Sequence, residues 1–145
     1  MNNIKEYIIE KLNRTKSSLM LEKLKINSKS KIHNYTYSPK NKKELKELIK
    51  QLIKERGNNA NLNDIDTSEI TDMGALFMNI KFNGNISKWD VSNVEWMVYM
   101  FNNSSFNGDI SCWKINNNIT SVAMSHMFDN CPLEKNPPKW YKKYE

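Results

Sequence analysis

Apolar residues in the second half of the chain recur every 24 residues. Segment 82–89 returns as 106–113 with phenylalanine, asparagine, glycine, isoleucine, serine and tryptophan in the same order. A fixed period of this length is typical of stacked repeats, because one copy is too small to bury its own apolar face. The pattern therefore predicts stacked copies over residues 57–131. The buried columns that this register predicts are Phe77, Phe101 and Phe128, and Ile86 with Ile110.

The third copy is longer than the second. Its apolar residues follow their counterparts by 27 residues instead of 24. The matched pairs are Met97 with Met124, Met100 with Met127, and Phe101 with Phe128. Three residues are therefore inserted, most simply in the polar run 116–118.

Local signals predict the backbone within a copy. Gly84 and Gly108 each follow an asparagine, which predicts a turn with positive φ. Segment 97–101 has the apolar spacing of one short helical turn with its apolar side inward. Residues 89–91 alternate in polarity and predict a short strand.

An amphipathic helix is predicted immediately before the repeats. Ser38 suits an N-cap, Pro39 suits the first helical position, and Gly57 suits the residue that ends a helix. Residues 1–27 also have helical patterns. We expect a helical cap on the first copy, because terminal repeats need one. The apolar face of the helix before the repeats comprises Leu45, Leu48, Ile49, Leu52 and Ile53.

The last residues, 132–145, combine prolines with aromatic side chains. Two adjacent prolines exclude a long helix. The aromatic residues are Trp140, Tyr141 and Tyr144. A second cap folded over the last copy and a partly disordered tail are the two interpretations.

The motifs Phe-Asn-Gly-Asp-Ile-Ser-x-Trp, Trp-Asp-Val-Ser-Asn-Val and Met-x-x-Met-Phe resemble the BspA-like leucine-rich repeat family, the DUF285 repeat of bacterial surface proteins and lipoproteins. The resemblance implies an α+β fold, a short leucine-rich-repeat-like solenoid of about three 24-residue repeats capped by N-terminal helices. The corresponding regions are 1–56 (helical region and cap), 57–131 (repeats) and 132–145 (cap or tail). The resemblance also implies a role in protein–protein contact, without catalysis.

Charge is divided unevenly along the chain. Residues 1–56 carry 15 Lys or Arg and 6 Glu, a net charge of +9, whereas residues 57–131 carry 3 Lys and 8 Asp or Glu, a net charge of −5. The basic N-terminal region suits nucleic acid. We favour a solvated helix face there, because only two arginines and no recognition motif accompany the lysines.

The N-terminal pattern also bears on location. Charges at Lys5, Glu6 and Glu10 interrupt the apolar pattern, which is not that of a signal peptide, and no lipobox-like cysteine lies nearby. No apolar run approaches 18 residues, so no transmembrane helix is predicted. We expect a cytoplasmic protein, although members of the resembled family are often on the cell surface.

Catalytic and metal-binding patterns are missing from the sequence. Cys112 and Cys131 occupy different places in the repeat, and His33 and His126 are far apart, so no metal-ligand spacing arises. No nucleophile elbow, phosphate-binding loop or His-Glu-x-x-His motif is present. We expect no enzyme activity, no cofactor and no metal.

Residues at the same place in successive copies form a row, and Trp96 breaks its row. Its counterparts are Asp72 and Ala123, so the row is expected to be exposed, and exposed tryptophan is typical of interface hot spots. The alternative is that Trp96 packs against the N-terminal helices of its own chain. The predicted protein-binding residues are Trp96, Tyr99, Asp90, Asp109, Lys88 and His126.

The sequence therefore predicts a non-enzymatic protein–protein interaction module. The expected partner is another protein with a basic patch, because the repeat region is acidic. One alternative is a small intracellular inhibitor, a toxin-immunity or phage anti-defence protein that blocks a nuclease. Another is nucleic-acid binding through the Lys-rich N-terminus. The oligomeric state stays open.

Overall fold

The computed structural model describes residues 35–143. The helices predicted within residues 1–27 lie outside this range. The described part has one α-helix, α1 (Lys42–Arg56), and two short 3-10 helices, Val122–Met124 and Pro132–Glu134. Turns and isolated parallel bridges make up the remainder. No helix within residues 35–143 is long and apolar enough to cross a bilayer.

Helix α1 begins later than the sequence predicted. Asn41 is the N-cap, and its side chain accepts a hydrogen bond from the Glu44 N–H at 3.0 Å. The Glu44 carboxylate in turn accepts from the Lys40 N–H at 2.7 Å. Because these bonds satisfy two backbone donors at the helix start, the chain becomes helical only after Asn41. The prediction of Ser38 as N-cap and Pro39 as first helical residue is wrong.

Gly57 ends α1, as predicted. Its φ is 89°, and its N–H donates to the Ile53 carbonyl at 2.7 Å. A left-handed φ of this kind suits glycine because it has no Cβ. The buried face of α1 packs into the same core as the repeats and consists of Leu45, Leu48, Ile49 and Leu52.

Three copies (57–80, 81–104 and 105–131) lie side by side and are joined by backbone hydrogen bonds. In segment 73–79 of the first copy, alternate N–H groups donate to carbonyls of the second copy at 2.8–3.0 Å. Segment 97–103 of the second copy donates to the third in the same way, at 2.8–3.1 Å. Intervening N–H groups donate to carbonyls of their own copy and so close turns within it. Segment 97–101 is therefore a series of turns, and the predicted helical turn is wrong, although its apolar residues do face inward.

Left-handed backbone recurs at two rows of each copy, at residues other than glycine. The φ angles lie between 54° and 60°. The residues are Ala75, Tyr99 and His126 in one row, and Asn79, Asn103 and Asn130 in the other. Since a left-handed residue reverses the local direction of the chain, each turn returns to the same inward side.

The repeat glycines serve a different purpose from the one predicted. Gly84 and Gly108 do not have positive φ. A Cβ at Gly84 would overlap the Ala60 carbonyl, and one at Gly108 would come within 2.7 Å of the Phe106 ring. Glycine is therefore needed for close approach of the backbone and the ring, and the prediction of positive φ there is wrong.

The predicted strand at residues 89–91 is also wrong. The parallel bridges within the repeats lie elsewhere, between Asn61 and Asn85 and between Asp72 and Trp96. The Trp89 N–H instead closes a turn onto the Ile86 carbonyl at 3.1 Å. The alternating polarity therefore reflects successive turns.

The phenylalanine column predicted from the register is confirmed. The Phe77 and Phe101 rings lie 5.5 Å apart and the Phe101 and Phe128 rings 5.8 Å apart, each pair within 4° of parallel. All three are at most 2% exposed, and Ile86 and Ile110 are also buried, at 1% and 2%. Identical side chains at one repeat spacing thus stack into one continuous core.

A tryptophan row runs beside this column and continues beyond the third copy. Each indole N–H donates to a carbonyl of the preceding copy. The bonds run from Trp89 to Leu62 (2.9 Å), from Trp113 to Ile86 (3.0 Å) and from Trp140 to Ile110 (2.8 Å). Trp140 follows Trp113 by 27 residues, the length of the third copy. Residues 132–143 therefore supply part of a fourth copy, and Tyr141 lies edge-on against Phe128 at 4.9 Å.

The three extra residues of the third copy do not all lie in the run 116–118. Ile119 takes the buried place of Val94, and Met124 takes that of Met97. One extra residue precedes Ile119 and two follow it, because Ile119 and Met124 are five apart where Val94 and Met97 are three apart. The predicted position is thus right for one residue and wrong for two, Thr120 and Ser121, which lie immediately before the 3-10 helix Val122–Met124.

Candidate protein-binding surface

The aromatic surface, as we name it, consists of Trp96, Tyr99, Val122 and His126. Stacking of the second and third copies aligns its two segments, because the Met97 N–H donates to Ala123 at 2.8 Å and the Tyr99 N–H to Ser125 at 3.1 Å. Trp96 is 50% exposed, Tyr99 40% and Val122 53%. Three large apolar side chains thus face solvent together, whereas the other repeat aromatic residues are buried.

Two rings of this surface hold each other in place. The Tyr99 and His126 rings stack at 5.0 Å and 9°. On its polar edge, His126 Nδ1 lies 2.7 Å from Asp129 Oδ2. Both residues are in the left-handed row, where the first copy has Ala75. The backbone strain is therefore a property of every copy, and only the side chains distinguish this place.

A cleft of about 350 Å³ opens beside Trp96. Residues of the third copy at and around the insertion line it, and the Asn116 side chain donates to the Val94 carbonyl at 3.4 Å. The lining comprises Glu95, Trp96, Asn116, Asn118, Ile119, Thr120 and Ala123. Within residues 35–143 the Trp96 indole N–H has no acceptor, unlike those of the other three tryptophans.

Three of the four acidic residues of the first copy are paired with cations from α1 and the residue before its N-cap. The Arg56 guanidinium donates to both Asp64 oxygens at 2.9 and 3.0 Å. The other pairs are Lys40 with Glu69 at 3.2 Å and Lys42 with Asp72 at 3.3 Å. Burial alone would raise the pKa of Asp64, but its hydrogen bonds and charge contact with Arg56 outweigh burial and lower it.

Acidic residues of the later copies lack such partners. In the described part of the chain, no lysine or arginine lies within ion-pair distance of Asp90, Glu95, Asp109 or Asp129. Glu95, which lines the cleft beside Trp96, therefore keeps its negative charge without a lysine or arginine partner, whereas Asp129 lies against His126.

The remaining predicted residues lie in other turns of their copies. Asp90 and Asp109 each accept from the N–H and hydroxyl of the serine two residues later, at 3.0 and 2.6 Å. The hydroxyl and N–H of Ser111 lower the pKa of Asp109. The Lys88 N–H donates to Asn63 Oδ1 at 2.9 Å. Within residues 35–143, no hydrogen bond or ion pair joins these three residues to the aromatic surface.

The structure therefore unites Trp96, Tyr99 and His126 and places Asp90, Asp109 and Lys88 elsewhere. Sequence reasoning missed Val122, Glu95 and Asp129. Val122 could have been found from the insertion, since 27-residue spacing puts it in the row of Glu95.

Neither cysteine belongs to the aromatic surface. Cys112 is exposed, whereas Cys131 is buried and donates to the Phe106 carbonyl at 3.1 Å. Burial raises the pKa of the Cys131 thiol. Among the residues that the structure describes, no three His, Cys, Asp or Glu side chains are grouped as metal ligands would be.

The described residues thus comprise a helix, three copies joined by backbone hydrogen bonds, and a partial fourth copy after them. The chain matches the family described as "Mycoplasma protein of unknown function, DUF285" over residues 42–143. It belongs to that family, which confirms the DUF285 prediction, and the match extends beyond the predicted range 57–131 at both ends. No curated protein and no solved structure matches the chain.

Proposed function

We propose that this protein is a non-enzymatic protein–protein interaction module and that a partner docks on the aromatic surface. The scaffold that we propose is a short BspA-like, leucine-rich-repeat-like solenoid. The sequence motifs and the backbone bonds between successive copies support it.

The observation that carries the docking proposal is the exposure of Trp96. The other tryptophans of the copies, Trp89 and Trp113, are 3% and 4% exposed, whereas Trp96 is 50% exposed. An exposed indole gains most from burial when a partner covers it, because large aromatic side chains contribute the most apolar area at an interface.

Charge indicates the kind of partner. Glu95, in the cleft beside Trp96, has no cation within ion-pair distance among residues 35–143, and the repeat region carries a net charge of −5, so a protein with a basic patch would be steered towards it. The same charge favours an inhibitor of a nuclease as a second candidate, because a nuclease surface that holds phosphates is basic. That inhibitor would use the same aromatic surface.

The test uses Trp96→Ala as bait against extracts of the native host. Matched experiments use the unchanged chain and Met78→Ala, which removes an exposed apolar side chain (37% exposed) from the first copy. Proteins retained by each bait are identified by mass spectrometry, and the affinity of the retained protein is then measured with purified components. Thermal melts of the same samples report folding.

We expect the unfolding free energy of Trp96→Ala to lie within about 0.5 kcal/mol of that of the unchanged chain, as is usual for surface substitutions. We also expect it to lose about 2 kcal/mol or more of binding free energy, as hot-spot tryptophans do. Met78→Ala should keep both properties. If Trp96→Ala melted sharply while its folded fraction bound normally, the indole would be structural and the docking surface would lie elsewhere.

A further inference from the structure

We propose that the cleft beside Trp96 binds an arginine side chain of the partner, with the guanidinium against the indole and paired with the Glu95 carboxylate. This inference rests on the proposed function, because it names the chemical group that the docking partner would insert.

The cleft combines the two surfaces that a guanidinium needs. One wall is the exposed indole of Trp96, and the Glu95 side chain lies in the same lining. Ile119 and Ala123, both buried, supply apolar contact for an aliphatic stem. Asn116 and Asn118 also line the cleft, and their amide oxygens can accept hydrogen bonds.

Charge makes the cleft selective for a cation. Glu95 is exposed, and within residues 35–143 it has no ion-pair partner. An unneutralised carboxylate beside an aromatic face attracts cations through both its charge and the ring quadrupole. A nucleic-acid base would also stack on the indole, but its phosphates would be repelled by Glu95 and the other unpaired carboxylates.

The first copy shows the same kind of contact inside the molecule. Asp72 occupies the Trp96 row, joined to it by a parallel bridge, and holds the Lys42 ammonium at 3.3 Å. In the second copy the carboxylate moves one residue earlier, to Glu95, and an indole takes the row. The chain thus already places a cation at this row where a helix lies beside it, and the second copy has the aromatic face that suits a planar cation.

Arginine fits this arrangement better than lysine. Its guanidinium is planar, stacks on an aromatic face and can donate two parallel hydrogen bonds to one carboxylate. A lysine ammonium is a compact, strongly hydrated charge that cannot stack in this way. A peptide that carries lysine in place of arginine therefore distinguishes a guanidinium site from a site for any cation.

The experiment is an NMR titration of the ¹⁵N-labelled chain with a capped Gly-Arg-Gly-Arg-Gly peptide. Control peptides carry lysine or the neutral isostere citrulline in place of arginine. The indole signal of Trp96 is assigned by its disappearance in Trp96→Phe. We expect this indole signal and the Thr120 and Ala123 amides to move with the arginine peptide. Binding should be about fivefold weaker with citrulline, as expected for loss of one exposed ion pair.

Two variants locate the charge. Glu95→Gln keeps the shape of the cleft and should clearly reduce the preference for arginine over citrulline, leaving only the part that the indole face contributes. Asp109→Asn removes an exposed carboxylate from another turn and should leave that preference intact. Equal binding of arginine and citrulline by the unchanged chain, or an unchanged preference in Glu95→Gln, would overturn the inference. Equal binding of lysine and arginine would overturn the choice of guanidinium.

The two proposals can fail separately. If Trp96→Ala loses the captured partner but Glu95→Gln retains it at full affinity, the aromatic surface binds protein and the arginine inference is wrong. If neither substitution affects the partner while the peptide still binds at Trp96, the cleft binds arginine and the proposed docking function is wrong.

Discussion

The first and second copies share one backbone and one core but present different surfaces. Each donates alternate N–H groups to the next copy, and each contributes a phenylalanine to the same column. At two surface rows the first copy has Asp72 and Ala75, and Asp72 is neutralised by Lys42. The second copy has Trp96 and Tyr99 at these two rows, and both are exposed.

This difference shows which parts of a copy are constrained. Inward rows must match their neighbours on both sides, because a changed side chain leaves a cavity or a clash in the column. Outward rows meet solvent and can change from one copy to the next without affecting the stack. The row of Asp72 and Trp96 faces solvent at both of these residues, although its third member, Ala123, is buried, and in the first two copies it is therefore where a function distinct from folding can reside.

The shared core predicts the largest effect. Phe101 is fully buried, between the Phe77 and Phe128 rings, with the Phe106 ring 4.4 Å away. Phe101→Ala should cost about 3–5 kcal/mol of unfolding free energy, the usual range for truncating a buried phenylalanine. Chemical denaturation followed by circular dichroism measures this.

Tyr99→Ala is the matched control, two residues away in the same copy. Ala75 already occupies this row with the same left-handed φ, so the backbone accepts alanine. The loss should be about 0.5 kcal/mol, as for a surface site. A loss below about 1 kcal/mol for Phe101→Ala would show that the column does not hold the copies together.

The paired surface of the first copy predicts an intermediate effect that depends on pH. Arg56→Met keeps most of the apolar stem and removes the guanidinium from Asp64. At neutral pH this should cost about 1 kcal/mol, the upper end for a partly exposed pair. Because Asp64 has a lowered pKa in the folded chain, its contribution is present above the unfolded value of about 3.9.

That contribution disappears as pH falls through the lowered pKa of Asp64, so the difference between Arg56→Met and the unchanged chain should narrow in acid. Melts at neutral pH and at progressively lower pH measure the difference. Lys40→Met is the control, since its pair with Glu69 has both side chains 57% exposed and should contribute little at any pH. A difference that stayed constant into strong acid would mean that Arg56 acts through packing and its hydrogen bond to the Asn61 carbonyl, and not through Asp64.

Much of the core could be predicted from the sequence, because identical side chains at one period must meet when copies stack. The turns within a copy could not. Ala75 and Tyr99 adopt left-handed φ although neither residue type favours it, because the backbone bonds to the next copy impose that conformation. Gly84 was misread for the related reason that its constraint is a neighbouring carbonyl from another copy.

The candidate site was predictable in part. Trp96 stood out because it breaks its row, and Tyr99 and His126 followed from their position beside it. Glu95 was missed because the repeat pattern does not distinguish it from the other exposed carboxylates, and Val122 because the 27-residue spacing of the third copy was not extended to it. The pairing of Asp72 with Lys42 was equally hidden, since it joins residues 30 apart through the placement of α1.

The unpaired surface of the later copies predicts the smallest effect on stability. Asp109 accepts the N–H and hydroxyl of Ser111, and Asn85 accepts the same two bonds from Ser87 one copy earlier. Asparagine therefore serves this turn as well as aspartate does. Asp109→Asn should change the unfolding free energy by less than about 0.5 kcal/mol, measured by denaturation.

The same substitution removes an exposed negative charge, and its effect should appear in association with the partner instead. Stopped-flow or surface-binding kinetics should show a slower association rate at low salt and an unchanged dissociation rate, because an exposed charge outside the contact steers the encounter without being buried. The difference should vanish at high salt, where charges beyond a few ångströms are screened. Asp109→Ala is the matched control, because it removes both the charge and the hydrogen bonds of the turn, whereas Asp109→Asn removes the charge alone. If Asp109→Asn destabilised the chain as much as Asp109→Ala, the carboxylate charge itself would stabilise the fold. Asp109 would then not be part of a free acidic surface on the later copies, and the contrast with the paired carboxylates of the first copy would not hold for this residue.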